Sequence, residues 1–91
     1  MIVKVLSMTS VSENQIKFIL NLKRKGIKNK DLLNAMETID RGLFLEGIFQ
    51  ERSQDDIPLP INCGQTISQP SIVAKMIEKL EINKNCKVLE V

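Results

Sequence analysis

The chain has 91 residues, of which 43% are hydrophobic and 26% charged, and its net charge is +2 at pH 7. This composition argues against a disordered chain and against a membrane protein. The length excludes a complete Rossmann-type enzyme, which needs several βαβ units of roughly 30 residues each. The N-terminus lacks the apolar core of a signal peptide, so we expect a cytoplasmic protein.

Histidine is absent, which excludes imidazole bases, Ser-His-Asp triads and histidine metal sites. Cys63 and Cys86 have no metal-ligand spacing, and no histidine is available to activate either thiol. One disulfide between them would be compatible with the sequence, but we predict two free structural thiols in a reducing compartment, and no metal site.

Charge is distributed unevenly along the chain. Residues 1–30 hold seven basic residues and one acidic residue, a local charge of +6, whereas residues 31–91 have a local charge of −4. The basic patch at residues 17–30 is interpreted as the solvated face of a helix and its turn. An alternative is a small helix-turn-helix that binds nucleic acid phosphates.

The first element in chain order is a helix preceded by residues 1–11, which are expected to form a loose tail or a short strand. The run Ser12-Glu13-Asn14-Gln15 fits a capping box and predicts a helix start. An apolar stripe extends this helix to about Lys25. Gly26 then provides a left-handed stop.

A second helix is predicted from a cap at Asn29 to about Ile39, packed on the first as an αα-hairpin or at a steep angle. Residues 43–68 show no sustained period, and a loop of this length is usually functional or disordered. Its apolar content predicts an ordered segment packed on the rest of the chain: Phe44, Leu45, Ile48, Phe49, Ile57, Leu59 and Ile61.

A third helix is predicted to open at Ser68-Gln69-Pro70, because proline is favoured in the first helical turn. Its apolar residues recur at helical spacing: Ile72, Val73, Met76, Ile77 and Leu80. A turn at residues 83–85 follows, and residues 87–91 indicate a buried strand.

Residues 57–70 combine a stiff apolar lead-in, a glycine and a polar cluster before a helix. Gly64 permits a turn or the close approach of a ligand to the backbone. Gln65, Thr66 and Ser68 offer an amide and two hydroxyls where free backbone amides favour a carboxylate or another anion. The alternative is purely structural, with Ser68 capping the helix and Thr66 holding the turn.

The segment at residues 59–70, with its Gly-Gln-Thr-Ile-Ser-Gln-Pro heptad, resembles the signature of protein-L-isoaspartate (D-aspartate) O-methyltransferases. The resemblance covers roughly residues 12–91, although Glu46 stands where the family usually has proline. The surrounding features follow the family's order: the turn Lys25-Gly26-Ile27, Arg41 before Phe44, an acid at Asp55 or Asp56, and the run at residues 88–91.

This resemblance implies a fold class. The chain is expected to be mainly α with a short terminal strand, as the N-terminal part of an α/β Rossmann-like S-adenosylmethionine-dependent methyltransferase. It would be truncated after the first core strand, before the glycine-rich cofactor loop. Residues 1–11 would be a tail, and residues 12–91 would hold the helical cap, the bordering loop, one helix and the first strand.

The resemblance also implies an activity, which is methyl transfer from S-adenosylmethionine to the carboxylate of L-isoaspartyl residues in damaged proteins. Ser68 matches the active-site residue of the family. Gln65, Thr66, Ile67 and Ser68 would border the cofactor. Leu59, Pro60, Ile61 and Thr66 would contact the isoaspartyl substrate.

The resemblance implies that the glycine-rich cofactor loop and an acidic residue that binds the cofactor's ribose lie beyond Val91, so we expect these 91 residues to be inactive alone. The unpaired strand at residues 88–91 would favour self-association. A non-catalytic peptide-binding module derived from the same family is the alternative that the sequence leaves open.

Overall fold

The computed structural model describes the backbone of residues 2–91 and the side chains of residues 13–91. These residues form three α-helices, two 3₁₀ helices and one two-stranded antiparallel sheet. The elements in chain order are α1 (Ile2–Arg24), α2 (Lys30–Thr38), 3₁₀ helices at Arg41–Phe44 and Gly47–Arg52, β1 (Leu59–Pro60), β2 (Thr66–Ile67) and α3 (Pro70–Lys79). None of the helices in residues 2–91 is long and apolar enough to cross a membrane.

Helix α1 begins at Ile2, so the predicted tail or strand before Ser12 is wrong. The sequence from residue 2 to Ser12 contains no glycine or proline that would interrupt a helix. Adding a residue to an existing helix forms one hydrogen bond per residue fixed, so the helix continues through the capping-box sequence. Met1 and the side chain of Ser12 lie outside the described residues.

The end of α1 follows the prediction. Gly26 adopts a φ of 101°, and its amide donates to the carbonyl of Lys23 at 3.0 Å while the amide of Ile27 donates to that of Leu22 at 3.1 Å. This pair of bonds is a Schellman motif, in which the residues at its two ends make an apolar contact. Leu22 and Ile27 both belong to the core, so the helix stop and the core depend on the same residues.

Helix α2 is capped as predicted. The side chain of Asn29 accepts a hydrogen bond from the amide of Leu32 at 3.0 Å. The helix ends at Thr38, one residue before the predicted end. Helices α1 and α2, joined by a short turn, contact each other directly, as predicted.

The main core lies where α1, α2 and α3 meet. It is aliphatic apart from one phenylalanine and is almost inaccessible to solvent. Its buried members are Phe18, Leu22, Ile27, Leu32, Leu33 and Ala74. Helix α3 thus closes the open side of the α1–α2 pair.

A carboxylate also joins α3 to the α1–α2 turn. Glu78 accepts hydrogen bonds from the backbone amides of Lys28 and Asn29, both at 2.8 Å. The amides of Asn29 and Lys28 lower the pKa of Glu78, since they bind its ionised form. The end of α3 is therefore tied to the start of α2 across about 50 residues of sequence.

The segment between α2 and β1 is ordered, but it does not bury all of the apolar residues that were predicted to be covered. Leu45 and Leu59 are each 2% exposed. Phe44 and Ile48, in contrast, are 60% and 77% exposed. Two short 3₁₀ helices bring only part of this segment into contact with the helical core.

Helix α3 starts at Pro70, as predicted, but only one side of its apolar stripe is covered. Ala74 is fully buried, whereas Met76 and Leu80 are 64% and 66% exposed. The turn predicted at residues 83–85 is present. The predicted strand at residues 87–91 is wrong, because this segment is exposed and has no neighbouring strand among residues 2–91 with which to pair.

We predict that Leu22→Ala lowers the free energy of unfolding by about 3 kcal/mol, since Leu22 is fully buried and its truncation leaves a cavity. The matched control is Leu20→Ala on the same helix, where Leu20 is 49% exposed. This control is expected to cost less than about 1 kcal/mol. Urea unfolding followed by circular dichroism distinguishes the two, and equal losses would contradict the assignment of the core.

Candidate functional site

The residues that the sequence suggested as a site lie in a β-hairpin that leads directly into α3. Strand β1 pairs antiparallel with β2, so Leu59 lies opposite Ile67 and Pro60 opposite Thr66. The pairing continues into the turn, where the amide of Ile61 donates to the carbonyl of Gln65 at 2.9 Å. The residues predicted to contact substrate and those predicted to border the cofactor therefore face each other across one hairpin.

The hairpin turn depends on two left-handed residues. Cys63 has a φ of 64° and Gly64 a φ of 67°, and the amide of Gln65 donates to the carbonyl of Asn62 at 3.4 Å. Two successive positive φ values are the pattern of a type I′ hairpin turn. A Cβ added at Gly64 would meet nothing within 4 Å, so the outer side of the turn is open.

The predicted site residues differ in accessibility. Pro60, Gln65, Thr66 and Ser68 are exposed, and Ile61 and Ile67 are half-buried. Leu59 is 2% exposed, so its side chain supports the hairpin from inside.

Ser68 does not act as the helix cap. The N-cap residue of α3 is Gln69, whose side chain makes no capping bond to the first amides. Among the described residues, the Ser68 hydroxyl has no hydrogen-bond partner, and the turn is held by backbone groups and not by Thr66. The structural alternative for these two side chains is therefore wrong for this part of the chain.

The amide that needs a cap at the start of α3 is bound by Asp56. Its Oδ1 accepts from the backbone amide of Ser71 at 2.8 Å. Its Oδ2 accepts from the side-chain amide of Asn21 at 3.1 Å and pairs with the ammonium group of Lys25. Only 12% of the Asp56 side chain is exposed. One carboxylate thus links α1, the loop before β1 and the N-terminus of α3.

The pKa of Asp56 lies well below its usual value of 3.8. Burial alone would raise this pKa, but hydrogen bonds from Lys25, Ser71 and Asn21 to the ionised carboxylate outweigh the burial. The carboxylate is therefore ionised throughout the neutral range, which is the form that caps a helix N-terminus best.

The guanidinium group of Arg41 is buried and is attracted to this carboxylate. All three guanidinium nitrogens are buried and have no hydrogen-bond partner within the described part of the chain. Burial lowers the pKa of Arg41, and the attraction of Asp56 opposes that effect. Arginine stays charged in proteins, so Arg41 adds a second positive group to the surroundings of Asp56.

Two cavities flank the hairpin. One, of about 240 Å³, lies between α2 and α3 and is lined by apolar side chains together with Ile67 and Ser68. The other, of about 440 Å³, is an aromatic cleft beside β1, lined by Phe44, Phe49, Pro60, Ile61 and neighbouring residues. Of the predicted site residues, Ile67 and Ser68 thus border one cavity and Pro60 and Ile61 border the other.

Sequence reasoning noted an acid at position 55 or 56 but assigned no role to it. Asp55 pairs with the neighbouring Arg52 at 3.1 Å on the surface, whereas Asp56 makes the long-range contacts. Asn21 and Lys25 were missed as its partners, and Lys25 was counted only as part of the basic patch. No local sequence signal distinguishes these residues, because their contacts span 31 to 35 residues.

The chemistry available here is that of exposed hydroxyls and an amide beside a helix N-terminus. Gln65, Thr66 and Ser68 can donate to and accept from a polar ligand. The open side of the turn at Gly64 leaves room for such a ligand to approach the backbone. These residues therefore offer hydrogen-bonding groups to a polar ligand. Within the described residues, no group of three or more His, Cys, Asp or Glu side chains is placed to hold a metal ion, and Cys63 and Cys86 are free thiols.

We predict that the stability contributed by Asp56 is lost in acid. Because its folded-state pKa is depressed, this contribution is present above the unfolded-state pKa of about 3.9 and falls as the pH drops toward the lower folded-state value. Asp56→Asn should therefore be about 1–2 kcal/mol less stable than the unmodified chain at pH 7, and this gap should narrow below pH ~4. Asp55→Asn, at an exposed pair, is the matched control, and urea unfolding between pH 7 and 2.5 provides the measurement. A gap that stays constant over this range would contradict the assignment.

Comparison with known proteins points to one family. Residues 13–91 match the sequence profile of protein-L-isoaspartate(D-aspartate) O-methyltransferase. The chain is 54% identical over 82 residues to the protein-L-isoaspartate O-methyltransferase of Roseobacter denitrificans, covering 90% of this chain and 38% of that protein. It is 53% identical over 79 residues to the enzyme of Ruegeria pomeroyi, covering 87% of this chain and 37% of that protein.

A third relative, from Dinoroseobacter shibae, is 50% identical over 84 residues, which are 92% of this chain and 39% of that protein. The chain thus spans less than two-fifths of the length of these curated relatives. The matched region contains the whole hairpin, Asp56 and α3. The chain belongs to the protein-L-isoaspartate(D-aspartate) O-methyltransferase family.

Proposed function

We propose that this chain provides the Ser68-bearing part of a protein-L-isoaspartate O-methyltransferase. Such an enzyme methylates the free carboxylate of an L-isoaspartyl residue and so begins the repair of a damaged protein. The observation that carries the proposal is the exposed Ser68 hydroxyl between β2 and α3, which has no hydrogen-bond partner among the described side chains and lies inside the family match. Relatives with this name share about half of their residues with the chain in the matched segment.

The chemistry suits a segment without histidine. The substrate carboxylate is already ionised at pH 7, so it is the nucleophile and no residue has to remove a proton from it. S-adenosylmethionine supplies a methyl group that its sulfonium has already activated. The remaining task of the protein is to orient the carboxylate and to exclude water.

In this proposal, Ser68 donates a hydrogen bond to one oxygen of the substrate carboxylate and leaves the other oxygen free to attack. Thr66 lies two residues earlier on the hairpin and would contact both substrate and cofactor. Gln65 and Ile67, together with Thr66 and Ser68, would border the cofactor. The exposure of the three polar side chains supports these roles.

Pro60 and Ile61 would contact the peptide that carries the isoaspartyl residue. Their position beside the aromatic cleft supports this role, since the cleft offers apolar surface next to the hairpin. Leu59 holds this side of the hairpin in place from the core, and so would contribute to substrate binding indirectly.

The activity is tested with a chimera in which this chain replaces the matching segment of the Roseobacter denitrificans relative. The chimera is expected to transfer methyl groups from S-adenosylmethionine to an isoaspartyl peptide and not to the corresponding aspartyl peptide. The 91 residues alone are expected to show no turnover, because they span less than two-fifths of such enzymes. A correctly folded chimera without methyl transfer would contradict the proposal.

We predict that Ser68→Ala in the chimera lowers kcat about 100-fold, because a substrate carboxylate that is no longer oriented reacts far more slowly. Ser53→Ala is the control, since Ser53 lies in the loop before β1 and outside the proposed site. Radiolabelled methyl transfer to the isoaspartyl peptide is the measurement. Retention of wild-type kcat by Ser68→Ala would show that Ser68 has no catalytic role.

A further inference from the structure

The segment that carries Ser68 is anchored at two points. On one side it leaves β2, whose last residue Ile67 is paired with Leu59 across the hairpin. On the other side it enters α3 at Pro70, which is buried and has a fixed φ. Only Ser68 and Gln69 lie between the two anchors, so any shift of the α3 N-terminus moves the Ser68 backbone directly.

The second anchor depends on Asp56. Ser71, at the second position of α3, is 2% exposed and its amide has no partner within the helix. The only contact that the described residues give this amide is Asp56 Oδ1 at 2.8 Å. Gln69 provides no side-chain cap. The helix therefore takes its cap from a residue 15 positions earlier.

Asp56 is itself held in place from α1. Asn21 on α1 and Lys25, which directly follows that helix, both bind its Oδ2. The buried cation of Arg41 attracts the same carboxylate. The N-terminus of α3 is thus held in place relative to α1, the longest helix among residues 2–91.

We propose that Asp56 is a positioning residue for Ser68: by fixing the Ser71 amide against α1, it sets where the Ser68 hydroxyl meets the substrate carboxylate. This inference rests on the proposed function for its catalytic consequence and on the hydrogen bonds of Asp56 for its structural part. Asp56 does not touch the reacting atoms. Its effect passes through Ser71, Pro70 and Gln69.

The catalytic test compares three variants in the chimera. Asp56→Ala removes the acceptor and is expected to lower kcat at least 10-fold, with the KM for the isoaspartyl peptide within about twofold of wild type. Asp56→Asn keeps an acceptor for the Ser71 amide but loses the charge. Its kcat should therefore fall about threefold, to a value between those of Asp56→Ala and Asp55→Asn. Asp55→Asn should match the wild type, since Asp55 is paired only with Arg52 on the surface.

The structural test uses the 91-residue chain and amide NMR, and it gives a result even if the chimera has no activity. Asp56→Ala should shift the Ser68 and Gln69 amide signals and speed hydrogen exchange at Ser71 at least 10-fold, whereas Asp55→Asn should do neither. An inactive wild-type chimera would refute the proposed function and leave this readout to decide the positioning role.

Three results would overturn the inference. One is an Asp56→Ala chain, folded by circular dichroism, whose Ser68 amide signal and kcat both equal those of the wild type. If Asp56→Ala does not fold, Asp56→Asn decides, and unchanged Ser68 signals together with unchanged kcat would refute the role. A fall in activity that is fully explained by a smaller fraction of folded protein would also refute it. Replacing a positioning residue must lower the kcat of the molecules that are folded.

Discussion

The Asp56 carboxylate is the interaction on which the arrangement of the hairpin and α3 depends. It binds the Ser71 amide at the N-terminus of α3, the side-chain amide of Asn21 on α1 and the ammonium group of Lys25 just after α1. Among the residues whose side chains are described, the main core has six buried members, so apolar packing alone leaves the start of α3 weakly specified. A buried and fully hydrogen-bonded charge adds the geometric precision that an aliphatic core of this size lacks.

Sequence reasoning correctly predicted the features whose interacting residues lie within a few positions of each other in the chain. Asn29 caps α2 through an amide three residues away, and Gly26 stops α1 through its own positive φ. Pro70 opens α3, and Gly64 makes the hairpin turn. In each case the residue type meets a requirement of the local backbone, so the sequence alone is sufficient to predict the feature.

The features that sequence reasoning missed depend on contacts between residues far apart in the chain, or on the absence of a feature such as a helix breaker or a pairing strand. The capping box at Ser12 is a local signal, but the helix passes through it because no residue before it breaks the helix. Residues 87–91 have strand-like composition, yet a strand requires a neighbour that residues 2–91 do not supply. The role of Asp56, and its difference from Asp55, appears only when α1 and α3 are brought together.

The bond network at Glu78 has a consequence for the order in which the chain can fold during its synthesis. The amides of Lys28 and Asn29 leave the ribosome about 50 residues before the carboxylate that binds them. At translation rates of roughly 5–20 residues per second, this delay is roughly 3–10 s, far longer than helix formation requires. During that time α1 and α2 can pair through their own caps and core, but Ala74 is missing and the open side of the pair is exposed. The completion of the helical core is thus timed by the emergence of α3 and not by the intrinsic folding rate of its first two helices.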